Sequence, residues 1–242
     1  MTNSDNPQVY WRVLKKRLID EGSDETVTKC NGLKMEAPDG KMRLTDVADT
    51  QVVLRLIQSI PSPNAEPFKL WLARVGYERL EETADPELAI NRALKTYLQK
   101  GYSSEWINQR LKSIEIRKSL TNEWEKRGAK EGIEFAILTD EISKAWAGLT
   151  TKEYKNLKGL KKENLRDNMS NLELVLNMLA ETATTEISKR REPKNFEQNK
   201  KVAQEGGNVA GNARKEIETK TGKKVTTKEN YLDQKQNKKL SL

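Results

Sequence analysis

The strongest constraint on the fold is a proline-containing loop that separates two amphipathic patterns between residues 53 and 75. In each pattern, apolar residues recur at positions i, i+3, i+4 and i+7, which is one face of an α-helix. The two apolar sets are Val53, Leu56, Ile57 and Ile60, and then Phe68, Trp71, Leu72 and Val75. Pro61 and Pro63 cannot continue the first helix. The pattern therefore predicts two helices that pack face to face, with Phe68 and Trp71 in the core.

The amino-acid composition argues for a binding protein over an enzyme. The chain has no histidine and one cysteine, Cys30, which excludes histidine-based catalysis and an ordinary structural zinc site. It has no phosphate-binding glycine motif, and no strand pattern precedes Gly206 and Gly207. A nuclease would need clustered carboxylates with a catalytic lysine, whereas the acidic residues here are scattered along predicted helices. We expect a non-enzymatic protein without a cofactor or a metal.

The sequence also predicts the compartment. No apolar run approaches the ~20 residues of a membrane span, and the first residues lack the basic and apolar regions of a signal peptide. A single cysteine, Cys30, suits a reducing environment. We therefore expect a cytoplasmic protein that does not associate with a membrane.

The positive charge is concentrated towards the C-terminus. Residues 1–190 carry 31 basic and 29 acidic side chains, whereas residues 191–242 carry 13 basic and 7 acidic ones. A basic end on a nearly neutral body favours a polyanionic partner, most often nucleic acid. The alternative is a tail that only keeps the protein in solution.

The order of patterns along the chain predicts a mainly α-helical fold with one small β-hairpin. A helix is expected over Val9–Ile19, and Val27–Cys30 has the composition of a short strand. Apolar and charged residues alternate on both sides of Pro38-Asp39-Gly40, which is a strong hairpin signal. From Asp85 to residue 190 the apolar spacing is helical, and from Thr226 the chain has few apolar residues and should be disordered.

The loop-and-helix segment around Phe68 resembles a known family. Its pattern S-x-x-P-x-A-E-P-F-x-x-W is formed by Ser59, Pro61 or Pro63, Ala65, Glu66, Pro67, Phe68 and Trp71. This is similar to the helical part of the BRO N-terminal domain, which occurs in baculovirus repeated-ORF proteins, phage antirepressors and DNA-damage-inducible protein D. BRO domains have a hairpin and a short helix before the segment that matches Tyr10–Leu18. The resemblance therefore covers about residues 8–80 and implies a truncated BRO-like domain, through either a late start or a truncated relative.

A second informative stretch runs from Lys152 to Ser170. It contains six basic residues, namely Lys152, Lys155, Lys158, Lys161, Lys162 and Arg166, against three acidic ones. Thr150 with Glu153 and Ser170 with Glu173 have the spacing of capping boxes, so a helix should begin at each.

This stretch resembles the C-terminal half of DNA-damage-inducible protein D. The matching residues are Gly159-Leu160-Lys161-Lys162, Asn168-Met169, Leu172-Glu173-Leu174, Thr182–Ile187 and parts of residues 199–222. The resemblance covers about residues 85–225 and implies a protein of the DNA-damage (SOS) response. It divides the chain into a truncated BRO-like domain at residues 1–83, a helical domain at 84–190, a basic helical extension at 191–225 and a disordered tail at 226–242.

The function that these resemblances imply is DNA binding of phage-antirepressor or DNA-damage-response type, on double- or single-stranded DNA. The expected phosphate contacts are Arg12, Lys15, Lys16, Arg17, Lys158, Lys161, Lys162 and Arg166. The alternative is an interaction module that docks on a repressor or a recombination protein with little direct DNA contact. The sequence leaves the oligomeric state open.

Overall fold

The computed structural model describes residues 4–233 and is mainly α-helical with one small antiparallel hairpin. This confirms the predicted fold class. The chain divides into two compact units, Met1–Asn91 and Arg92–Leu242. Among the described residues, no helix is long and apolar enough to cross a membrane.

The first unit contains four helices, the hairpin and the start of a fifth helix. Its elements are α1 (Pro7–Asp20), α2 (Asp24–Thr28), β1 (Asn31–Glu36), β2 (Met42–Val47), α3 (Thr50–Gln58), a 3-10 turn (Pro63–Ala65), α4 (Glu66–Ala84) and α5 (Pro86–Gln99), which runs into the second unit. The hairpin register pairs Asn31 with Val47 and Glu36 with Met42. Residues 24–28, which include Val27, are helical, so the strand expected at Val27–Cys30 is wrong; the acidic residues at the start of α2 favour a helix there.

The core of the first unit is small. Leu14 and Leu18 of α1 pack with Ile60 and Ala65, which lie in the loop between α3 and α4. Trp71 is 49% exposed, so its predicted place in the core is wrong. The physical reason is that the loop residues Ile60 and Ala65, and not Trp71, pack with Leu14 and Leu18 in this small core.

The second unit is built on four long helices. They are α6 (Ser104–Lys126), α7 (Ile133–Ala147), α9 (Asn171–Arg191) and α10 (Phe196–Thr221), with the short α8 (Thr151–Leu157) and a 3-10 turn (Leu165–Asn168) between α7 and α9. The core contains three fully buried tryptophans, Trp106, Trp124 and Trp146. A buried tryptophan contributes a large apolar area, so these side chains dominate the packing.

The helix α10 is part of this core and not a basic extension. Its residues Val202, Ala203 and Ala210 are buried, and Gly207 lies so close to α7 that an added Cβ atom would be 2.6 Å from the Cβ atom of Ala145. Small side chains therefore let α10 approach its neighbours closely. The predicted basic helical extension at residues 191–225 is helical over Phe196–Thr221, and its apolar and small residues share one buried face.

The segment after α10 also packs. The Tyr231 ring stacks on Tyr102 at a centroid distance of 5.7 Å, and its hydroxyl lies 2.9 Å from Ser103 Oγ. Disorder from Thr226 is therefore wrong for residues 226–233, because a few aromatic and aliphatic contacts suffice to hold a short segment on a preformed core. Residues 234–242 of the predicted tail lie outside the described residues.

Candidate nucleic-acid interface

The local sequence fixes the backbone of the basic stretch, residues 152–170, at both ends. Thr150 accepts the N–H of Glu153 and the Glu153 carboxylate accepts the N–H of Thr150, so α8 begins with a capping box. Ser170 and Glu173 form the same arrangement at the start of α9. Both predicted capping boxes are thus confirmed. Gly159 has a φ of +69°, a backbone conformation that residues with a Cβ atom rarely adopt. It turns the chain after α8.

Lys158 does not lie on the surface. Its ammonium nitrogen is 3.0 Å from Glu173 Oε1 and donates to the Glu229 carbonyl at 2.8 Å, and neither side chain of the Lys158–Glu173 pair is exposed. The Tyr154 hydroxyl donates to the same carboxylate. The expectation that Lys158 is available to phosphate is therefore wrong. The sequence alone could not give this lysine a partner, because Glu173 lies on another helix.

The buried Glu173 site is held together by charge-assisted hydrogen bonds. Burial and the neighbouring Glu173 carboxylate raise the pKa of Tyr154 well above its ordinary value, so its hydroxyl stays protonated and continues to donate. A buried ion pair with further hydrogen bonds is strongly destabilised when one partner is removed. Removal of Lys158 alone would therefore destabilise the second unit.

Arg166 also forms an ion pair within the chain. Its Nη2 atom is 2.6 Å from Glu181 Oε1, and Arg117 approaches the same carboxylate at 3.4 Å. Only 22% of the Arg166 side chain is exposed. Since Glu181 is buried, Arg166 neutralises a buried acid, and its guanidinium is held by that acid.

Lys161 and Lys162 have the exposure that a phosphate contact needs. Both are exposed, and neither side chain makes an ion pair within residues 4–233. Their backbone N–H groups donate to Glu163 Oε2 at 2.7 and 2.9 Å. The backbone N–H of Glu163 itself, followed by those of Lys161 and Lys162, holds the pKa of Glu163 below its ordinary value, so the acid orders the loop while the two lysine side chains stay exposed.

A second basic segment, which the sequence analysis assigned to the extension and the tail, lies against this stretch. Besides the bond from Lys158 to Glu229, Asn230 Nδ2 donates to the Lys158 carbonyl at 3.4 Å. We call residues 151–166 and 214–229 together the basic end. The basic end has twelve basic and five acidic residues. Its exposed lysines without an ion pair in the described chain are Lys152, Lys161, Lys162, Lys215, Lys223, Lys224 and Lys228.

The sequence signal for this second segment was the pair Lys223-Lys224 beside Lys228. Periodicity could not place it, because residues 222–230 are mostly polar. Val225 alone is buried there, and its N–H donates to Glu218 at 2.9 Å. One apolar residue and a few backbone hydrogen bonds therefore position three lysines.

The cations predicted on α1 are only partly free. Lys15 is 3.0 Å from Asp46 and lies over the Trp11 ring, and Arg17 is 2.8 Å from Glu21. The Trp11 indole and then the Lys15 ammonium lower the pKa of Asp46, so this acid stays charged and keeps Lys15. The other two predicted residues, Arg12 and Lys16, are exposed and make no ion pair in the part of the chain that the structure describes.

The comparison with protein families bears on the second unit. Residues 101–235, more than half of the chain, match the family model described as the DinD C-terminal domain. The chain belongs to this family. The match includes the whole basic end, the buried Lys158–Glu173 pair and Tyr231. It does not extend to residues 8–80, so the resemblance of these residues to the BRO N-terminal domain stays a prediction. No curated protein matches the chain.

The described residues contain no group of three or more histidine, cysteine, aspartate or glutamate side chains that could hold a metal ion. Instead, the charged residues of the DinD C-terminal domain fall into two classes. Lys158, Arg166 and Arg117 neutralise buried acids, whereas most of the other lysines of the basic end are exposed.

Proposed function

We propose that the chain is a non-enzymatic, cytoplasmic DNA-binding protein of the DNA-damage response. It contacts phosphates through the exposed lysines of the basic end. The observation that carries the proposal is that two separate basic segments meet at Lys158, which gives one end of the unit an excess of seven positive charges. A lysine cluster of this kind neutralises phosphates and releases the counterions condensed on DNA.

The contacts of the proposed interface position the protein on the DNA backbone and do not recognise the base sequence. Lysine ammonium groups on a flexible stem suit phosphate oxygens, whereas base readout needs side chains that enter a groove in a fixed geometry. The protein would therefore bind many sequences with similar affinity. Arg12 and Lys16 of α1 are a second, smaller set of phosphate contacts, within a region that we propose to be BRO-like, of phage-antirepressor type.

A second function is supported by an exposed apolar row on α9. Leu172, Val175 and Leu179 are spaced by three and four residues and are all exposed. They lie within the residues that match the family model. An apolar row of this kind suits a protein partner better than DNA. The alternative is therefore a module that docks through α9 on a repressor or a recombination protein.

The two functions differ in their dependence on salt. We would measure fluorescence anisotropy of labelled duplex and single-stranded oligonucleotides with the full chain, from about 50 to 300 mM NaCl. Phosphate binding predicts that the logarithm of the association constant falls linearly with the logarithm of salt concentration, with a slope of about −0.9 per contact on duplex DNA. No binding at the lowest salt concentration would contradict the proposal and favour docking through α9.

A further inference from the structure

The helix α4 is apolar on two opposite sides. At about 100° per residue, Phe68, Leu72 and Val75 share one side. The opposite side carries Leu70, Ala73, Tyr77, Leu80 and Ala84. Phe68 and Leu72 are partly buried, whereas every member of the opposite row is exposed. Since Val75 is 41% exposed, the first side of α4 is partly covered within its own chain, whereas the opposite side is not covered.

The exposed row is unusual in its size and spacing. Leu70 and Tyr77 are each 61% exposed, and Leu80 is 72% exposed. The spacing of three, four, three and four residues is that of the a and d positions of a coiled coil. The row spans fifteen residues, or about 21 Å of helix. Such a row on a surface helix fits the same kind of row on another helix.

The charges beside the row indicate the partner and its direction. Arg74 and Glu81 lie on one flank, in successive e positions, and Lys69 lies on the other, in a g position. In an antiparallel pair of α4 helices, Arg74 of each copy faces the partner's Glu81, which gives two opposite-charge contacts. In a parallel pair, Lys69 would face the partner's Arg74, which is repulsive. Within residues 4–233, neither Arg74 nor Glu81 makes an ion pair.

We propose that two copies of this chain associate through the Leu70–Ala84 row of α4 in an antiparallel, two-fold symmetric arrangement. Tyr77 packs against the partner's Leu80, and Ala73 against the partner's Ala84. The interface is small beside the roughly 800 Å² per partner of a standard stable complex. We therefore expect a dissociation constant of about 10–100 μM.

The test is sedimentation equilibrium of the full chain between about 1 and 200 μM. The intact chain should shift from monomer to dimer over this range, and Leu80→Glu should stay monomeric. Since Leu80 is exposed, its circular dichroism melt should match that of the intact chain. A monomer at all concentrations, or a dimer that Leu80→Glu leaves unchanged, would overturn the proposal.

The charge contacts provide a sharper test. Arg74→Glu and Glu81→Arg should each raise the dissociation constant about tenfold, because each places two like-charge pairs in the interface. The double variant Arg74→Glu/Glu81→Arg restores both pairs and should return to the intact value. Lys69→Glu is the matched control, which leaves an antiparallel dimer unchanged and would strengthen a parallel one. Failure of the double variant to recover, or a tighter Lys69→Glu dimer, would overturn the antiparallel arrangement.

Discussion

The two units use the same residue types in opposite ways. In the second unit, Trp106 is fully buried and its indole N–H donates to the Met169 carbonyl at 2.9 Å. In the first unit, Trp71 is half exposed, although it lies on a helical apolar pattern that looks equally regular. Lysine differs in the same way, since Lys158 pairs with an acid in the core whereas Lys15 pairs with Asp46 near the surface.

The difference shows that periodicity identifies a face of a helix but not what covers it. The second unit surrounds its three buried tryptophans with four long helices, so these rings are covered by neighbouring elements. The first unit has a core of a few aliphatic residues, and α4 keeps large apolar side chains on its surface. Stability should therefore be concentrated in the second unit, and substitutions of the same kind should have unequal effects.

The largest effect is expected from a matched pair of tryptophan substitutions. Trp106→Ala should lower the free energy of unfolding by about 3–5 kcal/mol, because it removes a buried ring and leaves a cavity. Trp71→Ala should cost less than about 1 kcal/mol, since half of its side chain is already in water. Urea denaturation followed by circular dichroism measures both. Equal losses would remove the proposed contrast between the units.

Two lysines of the basic stretch form the next pair. Lys158→Gln should destabilise the second unit by about 3–5 kcal/mol, because it leaves Glu173 charged and buried without its cation. Lys161→Gln should change the stability by no more than about 0.5 kcal/mol, since its side chain is exposed. The check is the urea midpoint of each variant. A mild Lys158→Gln would mean that the pair is hydrated in solution.

Two helical glycines should give effects of opposite sign. Gly207→Ala should cost about 1–3 kcal/mol, because its Cβ atom would lie 2.8 Å from the Ile142 carbonyl oxygen as well as near Ala145. Gly76→Ala on α4 meets no atom within 4 Å and should stabilise its helix by about 0.5–1 kcal/mol. Thermal melts of the two variants test the close packing of α10. Stabilisation by both substitutions would contradict it.

Alkaline pH should produce a smaller, graded loss of stability in the second unit. Burial raises the pKa of Tyr102 to about 12, whereas tyrosine in an unfolded chain titrates near 10. The stabilising contribution is therefore complete below about pH 10 and is lost as the pH rises towards 12. Tyr102→Phe should show a shallower decline than the intact chain in urea melts between about pH 8 and 11.5. Parallel declines would show that Tyr102 is hydrated.

Local patterns predicted much of this structure. The hairpin at Pro38-Asp39-Gly40, both capping boxes and the helical second unit followed from rules that act within a few residues. What could not be predicted were pairings between distant residues. Lys158 finds Glu173 and the Glu229 carbonyl only after three segments come together, so counting charges placed it on the surface. Tyr231 was missed for the same reason, because a single aromatic residue in a polar segment carries no period.

The central claim is that the free lysines of the basic end, and not the overall charge, bind DNA. Its most direct test compares two variants that each replace four exposed lysines by glutamine. One changes the basic end at Lys161, Lys162, Lys223 and Lys224. The control changes Lys126, Lys130, Lys194 and Lys201. Of these, Lys126 ends α6, Lys130 lies in the loop before α7, and Lys194 and Lys201 flank the start of α10.

Both variants lose the same net charge, so only the position of the charge differs between them. In the anisotropy salt series, the basic-end variant should lower the magnitude of the log–log slope by about 3–4, close to one per lost phosphate contact. The control should change the slope by less than about one. An unchanged slope for the basic-end variant, or equal changes in the two variants, would contradict the account.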